Sequence, residues 1–199
     1  MKLKTAMGLI VAMLATSSIT LHAQEVTNTS FKTAEGDRIL RLETVLKCSL
    51  DEAWELFATN DGLRTWLAPV VEVDFSNGGR WIASYDKTKK IEDPGNIVNE
   101  IVCIVPKEMY VLRVRQVPDN FPFDEKKMYE GRSVMQFEKL GKKRTKLTLT
   151  GTGFGEGREW DKLYNFGLRA NKFTFLELHK RIENGPVDWD AEDQEEFTP

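Results

Sequence analysis

The chain has 199 residues, of which 41% are hydrophobic and 30% charged, and its formal net charge at pH 7 is −3. This length fits one domain with a single core. The acidic balance argues against nucleic acid as a partner, because binding to phosphates usually requires a basic patch.

The N-terminus has the pattern of a secretory signal peptide over residues 1–23. Lys2 and Lys4 precede an apolar run over residues 6–15, and a small, polar stretch ends at Ala23. The apolar run is about half as long as the ~20 residues that a membrane-spanning helix needs, so we expect cleavage after Ala23 rather than a retained anchor. Loss of the two lysines would change the net charge to −5. The expected product is a periplasmic or secreted protein.

Residues 24–37 are mostly polar and are predicted to form an N-terminal tail, followed by a strand over residues 38–46. Ser49 and Glu52 then have the spacing of a capping box, in which the hydroxyl and the carboxylate satisfy backbone amides at a helix start. Hydrophobic residues continue with helical spacing after this box. A second short helix is predicted to end at Pro69, because proline cannot continue a helix.

The hydrophobic period changes to two between Val70 and Gly153, which is typical of β-strands. Six further strands are predicted in a meander, over residues 71–75, 80–85, 96–105, 110–117, 133–140 and 145–152. The longest connection, residues 118–131, contains Phe121 and Phe123. This connection is either a binding loop or a solvent loop whose phenylalanines plug one end of the sheet.

The last predicted element is a long helix from about Arg158 to Glu183, which ends at a sequence containing Gly185 and Pro186. Eight residues project from one side of this helix at 100° per residue: Trp160, Tyr164, Gly167, Leu168, Asn171, Phe175, Leu178 and Ile182. The Asn171 amide needs a hydrogen-bond partner when buried, and this partner is either a ligand or the sheet backbone. Residues 186–199 are rich in acids and are predicted to form an acidic C-terminal tail.

The order of one strand, two helices, six strands and one long helix resembles the START-like, or SRPBCC, superfamily over residues 38–185. Four local motifs are similar to the branch named after the activator of the heat-shock-protein ATPase: Ser49-Leu50-Asp51-Glu52-Ala53-Trp54, Thr59-Asn60-Asp61-Gly62-Leu63-Arg64-Thr65-Trp66, Gly78-Gly79-Arg80-Trp81 and Leu147-Thr148-Leu149-Thr150-Gly151-Thr152-Gly153-Phe154. The resemblance implies an α+β helix-grip fold. A seven-stranded curved antiparallel sheet would wrap around the long C-terminal helix, with two short helices between strands 1 and 2.

In different members of this superfamily, a cavity between sheet and helix holds lipids, hormones or polyketides. The resemblance therefore implies a ligand-binding scaffold, and it carries over no catalytic residue. Strand alternation and helical spacing suggest which residues line such a cavity: Trp66, Trp81, Tyr85, Tyr110, Leu112, Met135, Phe137, Trp160, Tyr164 and Asn171. Core packing is the alternative for each aromatic residue, because aromatics dominate core burial with or without a cavity.

Motifs for metal or cofactor chemistry are sparse. His179 is the only histidine beyond the predicted signal peptide, which leaves little material for a histidine-rich zinc site or a catalytic triad. We therefore predict neither a metal nor a cofactor. The spacing of Cys48 and Cys103 matches no metal or redox motif, and both are predicted to be unpaired and largely buried.

The leading hypothesis is an exported protein that binds a small apolar or lipid-like ligand, with no nucleic-acid partner and no stable membrane anchor. One alternative is a cyclase- or hydrolase-type enzyme that acts on a hydrophobic substrate through Tyr85, Tyr110, Tyr164 or an inward carboxylate. The other is a co-chaperone-like protein-binding module. Export argues against this last alternative, because the ATPase that such proteins activate is cytosolic.

Overall fold

The computed structural model describes residues 26–118 and 121–191. Over these ranges the chain forms β1 Thr27–Asn28, β2 Phe31–Lys32, β3 Arg38–Leu46, α1 Leu50–Ala58, α2 Asn60–Arg64, β4 Val70–Val73, β5 Arg80–Ser84, β6 Ile97–Val105, β7 Met109–Gln116, α3 Glu125–Glu130, β8 Arg132–Gly141, β9 Arg144–Phe154 and α4 Arg158–Asn184. The predicted signal peptide and the end of the predicted acidic tail lie outside the described residues.

All nine strands belong to one antiparallel sheet with the order β1-β3-β9-β8-β7-β6-β5-β4, and β2 also pairs with β3. The predicted α+β helix-grip fold is confirmed, because β3 to β9 are the seven expected strands and α4 is the long terminal helix. Two strands come from residues predicted as an N-terminal tail. Thr27 pairs with Glu43, and Phe31 pairs with Ile39. Strands of two residues are too short to give a period-two pattern, so the sequence does not reveal them.

The two short helices are fixed by hydrogen bonds from side chains near their ends. The Ser49 hydroxyl accepts a bond from the Glu52 amide, and the Glu52 carboxylate accepts one from the Ser49 amide at 2.8 Å, which confirms the predicted capping box. The Glu52 carboxylate also accepts a bond from the Ser49 hydroxyl at 2.7 Å, and the two bonds that it accepts from Ser49 lower the pKa of Glu52. On α2, the Asn60 amide oxygen accepts a bond from the Val73 backbone amide at 2.7 Å. This bond joins α2 to β4 at the edge of the sheet.

The long helix α4 runs beside β3 in the same direction. Asp161 forms an ion pair with Arg38 near the start of α4, and Glu183 forms one with Lys47 near its end. Between these pairs, Gly167 faces Leu40 of β3, and an added Cβ there would make an ordinary van der Waals contact at 3.5 Å with a Leu40 methyl. The helix buries Leu163, Phe175, Leu178 and His179.

Two connections pack against these elements. Phe121 and Phe123, in the connection between β7 and β8, pack against Phe166 of α4 in edge-on and tilted arrangements, with ring centroids 5.8 and 5.1 Å away. Beyond α4, the Val187 amide donates to the Thr65 carbonyl at 2.9 Å and the Trp189 indole donates to the Arg64 carbonyl at 2.6 Å. Residues 187–189 therefore contact the end of α2, which differs from the predicted solvated tail.

Candidate functional site

One part of the inner sheet face is filled with aromatic side chains beneath α1. Tyr110 and Phe137 are almost fully buried, and both contact the Trp54 ring at centroid distances of 6.3 and 5.2 Å. Phe57 packs against the same pair, and Met135 is 9% exposed. Burial raises the pKa of Tyr110 far above its ordinary value. Three of the predicted ligand-binding residues, Tyr110, Met135 and Phe137, thus lie in a packed region.

A second part of the same face is less tightly covered. Strand alternation puts Leu112 and Val114 on the side of β7 that carries buried Tyr110. In register, Val114 pairs with Asn99 of β6, and Asn99 pairs with Trp81 of β5. Trp81, Leu112 and Val114 are only half-buried although they point inward. These inward apolar side chains retain contact with solvent, and the region between Trp81, Leu112 and Val114 on the sheet and α4 is called the hollow below.

One polar group in this hollow lacks a protein partner. The Trp81 indole nitrogen is buried, and it donates to no acceptor among the described residues. Asn99, which is 8% exposed, pairs with Trp81 in the sheet and adds a second polar side chain on the same face. A buried donor without an acceptor costs about 1–3 kcal/mol. An acceptor atom on a bound molecule, or a water, would remove that cost at Trp81.

The predicted residues on α4 make contacts with the protein itself. Tyr164 packs edge-on against Phe154 at 5.1 Å, and the Arg38 guanidinium lies 4.3 Å above its ring. Trp160 lies over Gly155, where an added Cβ would meet the indole at 2.5 Å. The Asn171 amide donates to the Gly167 carbonyl at 2.7 Å. Its partner is therefore the backbone of its own helix rather than that of the sheet.

A shallow cleft lies between α2, the end of β5 and α4. It is lined by Trp66, Leu67, Tyr85, Phe173, Thr174 and Glu177. The space inside it that is free for a bound group is about 20 Å³, room for roughly one water molecule. Trp66 is 2% exposed and donates its indole N–H to the Leu56 carbonyl, whereas Tyr85 is 61% exposed at the rim. The structure thus brings two predicted residues, Trp66 and Tyr85, to one cleft.

Sequence reasoning missed Asn99 in the hollow and Phe173, Thr174 and Glu177 in the cleft. The predicted apolar stripe of α4 is the face that packs on the sheet, and Phe173, Thr174 and Glu177 lie outside that stripe. A second signal was present, because Phe166 and Phe173 are separated by seven residues on another side of the helix, and Glu177 follows one turn later. A partly apolar second side indicates that a helix has neighbours on both sides.

Metal-ligating and redox residues are dispersed. Within residues 26–118 and 121–191, no three His, Cys, Asp or Glu side chains lie close enough together to hold a metal ion. Cys48 and Cys103 are both free, the first buried and the second half-buried. Burial, with a smaller contribution from Glu52, raises the pKa of Cys48 to about 11, which suppresses its thiolate form. No helix in the described ranges has both the length and the apolar character needed to span a membrane.

Comparisons with known proteins agree with this geometry. The family model described as Activator of Hsp90 ATPase homolog 1-like protein matches residues 47–177, well over half of the chain. No curated protein matches the chain.

Two solved structures illustrate the similarity of the fold. The solution structure of the Aha1 dimer from Colwellia psychrerythraea has a TM-score of 0.57 and 14% identity, covering 74% of this chain and 97% of that one. The crystal structure of CalU16 from Micromonospora echinospora has a TM-score of 0.55 and 15% identity, covering 80% of this chain and 86% of that one. At these identities the similarity extends to the fold alone.

Proposed function

The chain belongs to the Activator of Hsp90 ATPase homolog 1-like family, and on that premise we propose that it binds a small, largely apolar molecule in the hollow between β5–β7 and α4. The bound molecule carries at least one hydrogen-bond acceptor. Apolar surface for its body comes from Leu112, Val114 and the Trp81 ring. Ligand sites commonly combine apolar walls with a few polar groups that fix orientation.

The observation that carries this proposal is the Trp81 indole N–H, which is buried without an acceptor among the described residues. Indole N–H groups usually find a partner when buried, and here the nearest strand contributes Asn99, a second polar side chain on the same face. The half-buried state of Leu112 and Val114 supports space in front of that donor. An unpaired donor beside apolar side chains that contact solvent thus supports a bound molecule whose acceptor faces Trp81.

The proposal is tested first by native mass spectrometry of gently purified protein and then by titration with 11-(dansylamino)undecanoic acid, a fluorescent fatty acid. We expect saturable uptake. Replacement of Trp81 by Phe keeps an aromatic ring but removes the donor, and should weaken binding by about five- to tenfold. Val102→Ala is the matched control, because Val102 lies beside inward-facing Ile101 and is 40% exposed. Absence of saturable uptake, or equal affinity of the two variants, contradicts the proposal.

We further propose that the protein is exported. The support is the sequence of residues 1–23, in which Lys2 and Lys4 precede an apolar run over residues 6–15 and a small, polar stretch that ends at Ala23. Expression of the full chain in a bacterial host should give an extracytoplasmic product whose mass corresponds to a start at Gln24. A variant without residues 2–23 should stay in the cytosol. An uncut full-length product in the cytosolic fraction contradicts export.

A further inference from the structure

The outer face of the sheet, on the side away from the hollow, carries arginines around a single acid. Glu100 of β6 pairs with Arg80 of β5 and with Arg113 of β7. The residues on either side of Glu100 in β6 are buried on the inner face, so Glu100 and its two partners face outward. We propose that this arginine cluster, which is Arg80, Arg113 and Arg115 around Glu100, binds a phosphate monoester independently of the hollow.

The two arginines of β7 converge on one oxygen atom. Oε2 of Glu100 accepts a hydrogen bond from Arg113 Nη2 at 2.7 Å and another from Arg115 Nε at 2.6 Å. These bonds lower the pKa of Glu100, so its carboxylate is ionised at pH 7. The carboxylate of Glu100 thus occupies a position between two guanidinium groups where an oxyanion is favoured.

A β-bulge in β7 produces this convergence. Val98 of β6 pairs with Gln116, whereas the residue after Val98 pairs with Val114, so Arg115 is an extra residue in the ladder. In a regular ladder Arg115 would lie opposite Val98. The bulge turns its side chain towards the carboxylate that Arg113 already contacts. Bulges often re-aim side chains in this way beside functional sites.

Arg113 also has a donor that the described residues do not use. The Nε and Nη2 N–H groups form one edge of a guanidinium, and this edge matches two oxygens of a phosphate or a carboxylate. On Arg113, Nη2 donates to Glu100, whereas the buried Nε has no acceptor within the described ranges. Glu100 therefore fills half of this edge. A phosphate group, with three terminal oxygens, can fill both halves and still accept from Arg115.

Charge and exposure allow a phosphate to displace Glu100. Three arginines and one ionised acid give the cluster a net charge of +2, although the whole chain has a net charge of −3. The Arg115 side chain is 50% exposed, so a solute can reach it from solvent. Ion pairs at such exposure contribute little to stability, so a dianion can replace the single charge of Glu100 at small cost. Glu100 therefore acts as a competitor for the site, which provides a test of opposite sign.

The experiment is an NMR titration of the full chain with glycerol 3-phosphate in about 0.15 M salt, compared with glycerol, which lacks the phosphate. We expect the ester to shift the Nε–H signals of Arg113 and Arg115 and the backbone amide of Glu100 in a saturable way. A dissociation constant of roughly 0.1–1 mM is expected for a few charge-assisted hydrogen bonds at an exposed site. No saturable shift with the ester, or an equal response to glycerol, overturns the proposal.

Variants locate the site. Arg115→Gln should weaken binding of the ester by about three- to tenfold, and Arg115→Lys should also weaken it, because lysine keeps the charge but lacks the planar edge. Glu100→Gln should strengthen binding by a similar factor, because it removes the competing charge. Arg144→Gln is the matched control, since Arg144 is an exposed arginine in the hairpin between β8 and β9. Equal weakening by Arg144→Gln and Arg115→Gln, or weaker binding in Glu100→Gln, overturns the proposal.

The phosphate monoester can belong to a soluble molecule or to a lipid headgroup, and vesicles distinguish these two sources. Phosphatidylcholine vesicles with about 20% phosphatidic acid present the same ester at a membrane surface. Cosedimentation that is lost in Arg115→Gln identifies the lipid, whereas binding of glycerol 3-phosphate without cosedimentation identifies a soluble ester. Absence of both overturns the proposal. Fatty-acid uptake by the hollow should stay unchanged in Arg115→Gln, because Arg115 is on the opposite face, so the two proposals fail separately.

Discussion

At the scale of single residues, His179 shows how a polar side chain is accommodated in the core. It is 1% exposed, and its Nε2 lies 2.6 Å from the Thr44 hydroxyl oxygen. Burial lowers the pKa of His179, with a smaller opposing effect from the Glu183 carboxylate and a small further lowering from Lys47. The imidazole is therefore neutral at pH 7 and serves the packing of α4 on β3.

This burial predicts that stability falls on mild acidification. In the unfolded chain a histidine has a pKa near 6.5, whereas the folded pKa of His179 is lower. The unfolded state therefore takes up a proton first as the pH falls through about 6.5, and the free energy of unfolding decreases. Urea unfolding at about pH 7 and about pH 5.5 measures this loss. His179→Gln should flatten the pH dependence, even if it lowers stability at both values. An unchanged slope in this variant contradicts the assignment.

At the scale of elements, the backbone of β9 at Gly153 approaches the end of α3 closely. Its φ of +85° lies in the left-handed region, and an added Cβ would lie 2.7 Å from the Cα of Gly131 at the end of α3. Glycine here thus permits both the local conformation and the contact between two elements. The connection from β7 to β8 can pass against β9 only because neither glycine has a side chain.

Gly153→Ala should therefore destabilise the fold by about 2 kcal/mol or more, because it combines backbone strain with a clash against main-chain atoms. The matched control is Gly141→Ala, since an added Cβ at Gly141 meets no atom within 4 Å. Its effect should stay within about 0.5 kcal/mol. Thermal and urea unfolding of both variants compare the two sites. Similar losses of stability would show that the close approach at Gly153 is not the cause.

At the scale of the whole molecule, the sequence pattern predicted the helices and strands that have a regular hydrophobic period. It did not predict features that depend on contacts between distant segments of the chain. Period-two and helical spacing located β3 to β9, α1, α2 and α4, because each is long enough to show its period. The six-residue helix α3 was not predicted, since it lies inside a connection. Alternation correctly placed Tyr110 and Leu112 on one face of β7. It could not show that α1 covers Tyr110 tightly while Leu112 stays half-buried, because that difference depends on packing between distant segments.

The structure of the C-terminal segment also depends on contacts with distant residues that its local sequence does not indicate. Its acids resemble a solvated tail, yet Trp189 is hydrogen-bonded to Arg64 some 125 positions earlier. The indole N–H thus joins the segment after α4 to the last residue of α2. Trp189→Ala should lower the free energy of unfolding by about 1–2 kcal/mol and speed hydrogen exchange at the Trp66 and Leu67 amides.

Asp190→Ala tests whether charge rather than the indole holds this segment. Asp190 pairs with Lys87, and the two side chains are 92% and 57% exposed, so solvent and salt screen their attraction. Its removal should change the free energy of unfolding by less than about 0.5 kcal/mol and leave exchange at the end of α2 unchanged. If Asp190→Ala instead matches Trp189→Ala in both measurements, the acidic character of the segment is what joins it to the domain. If only Trp189→Ala has an effect, residues 187–189 belong to the cooperative unit that unfolds with α2 and α4.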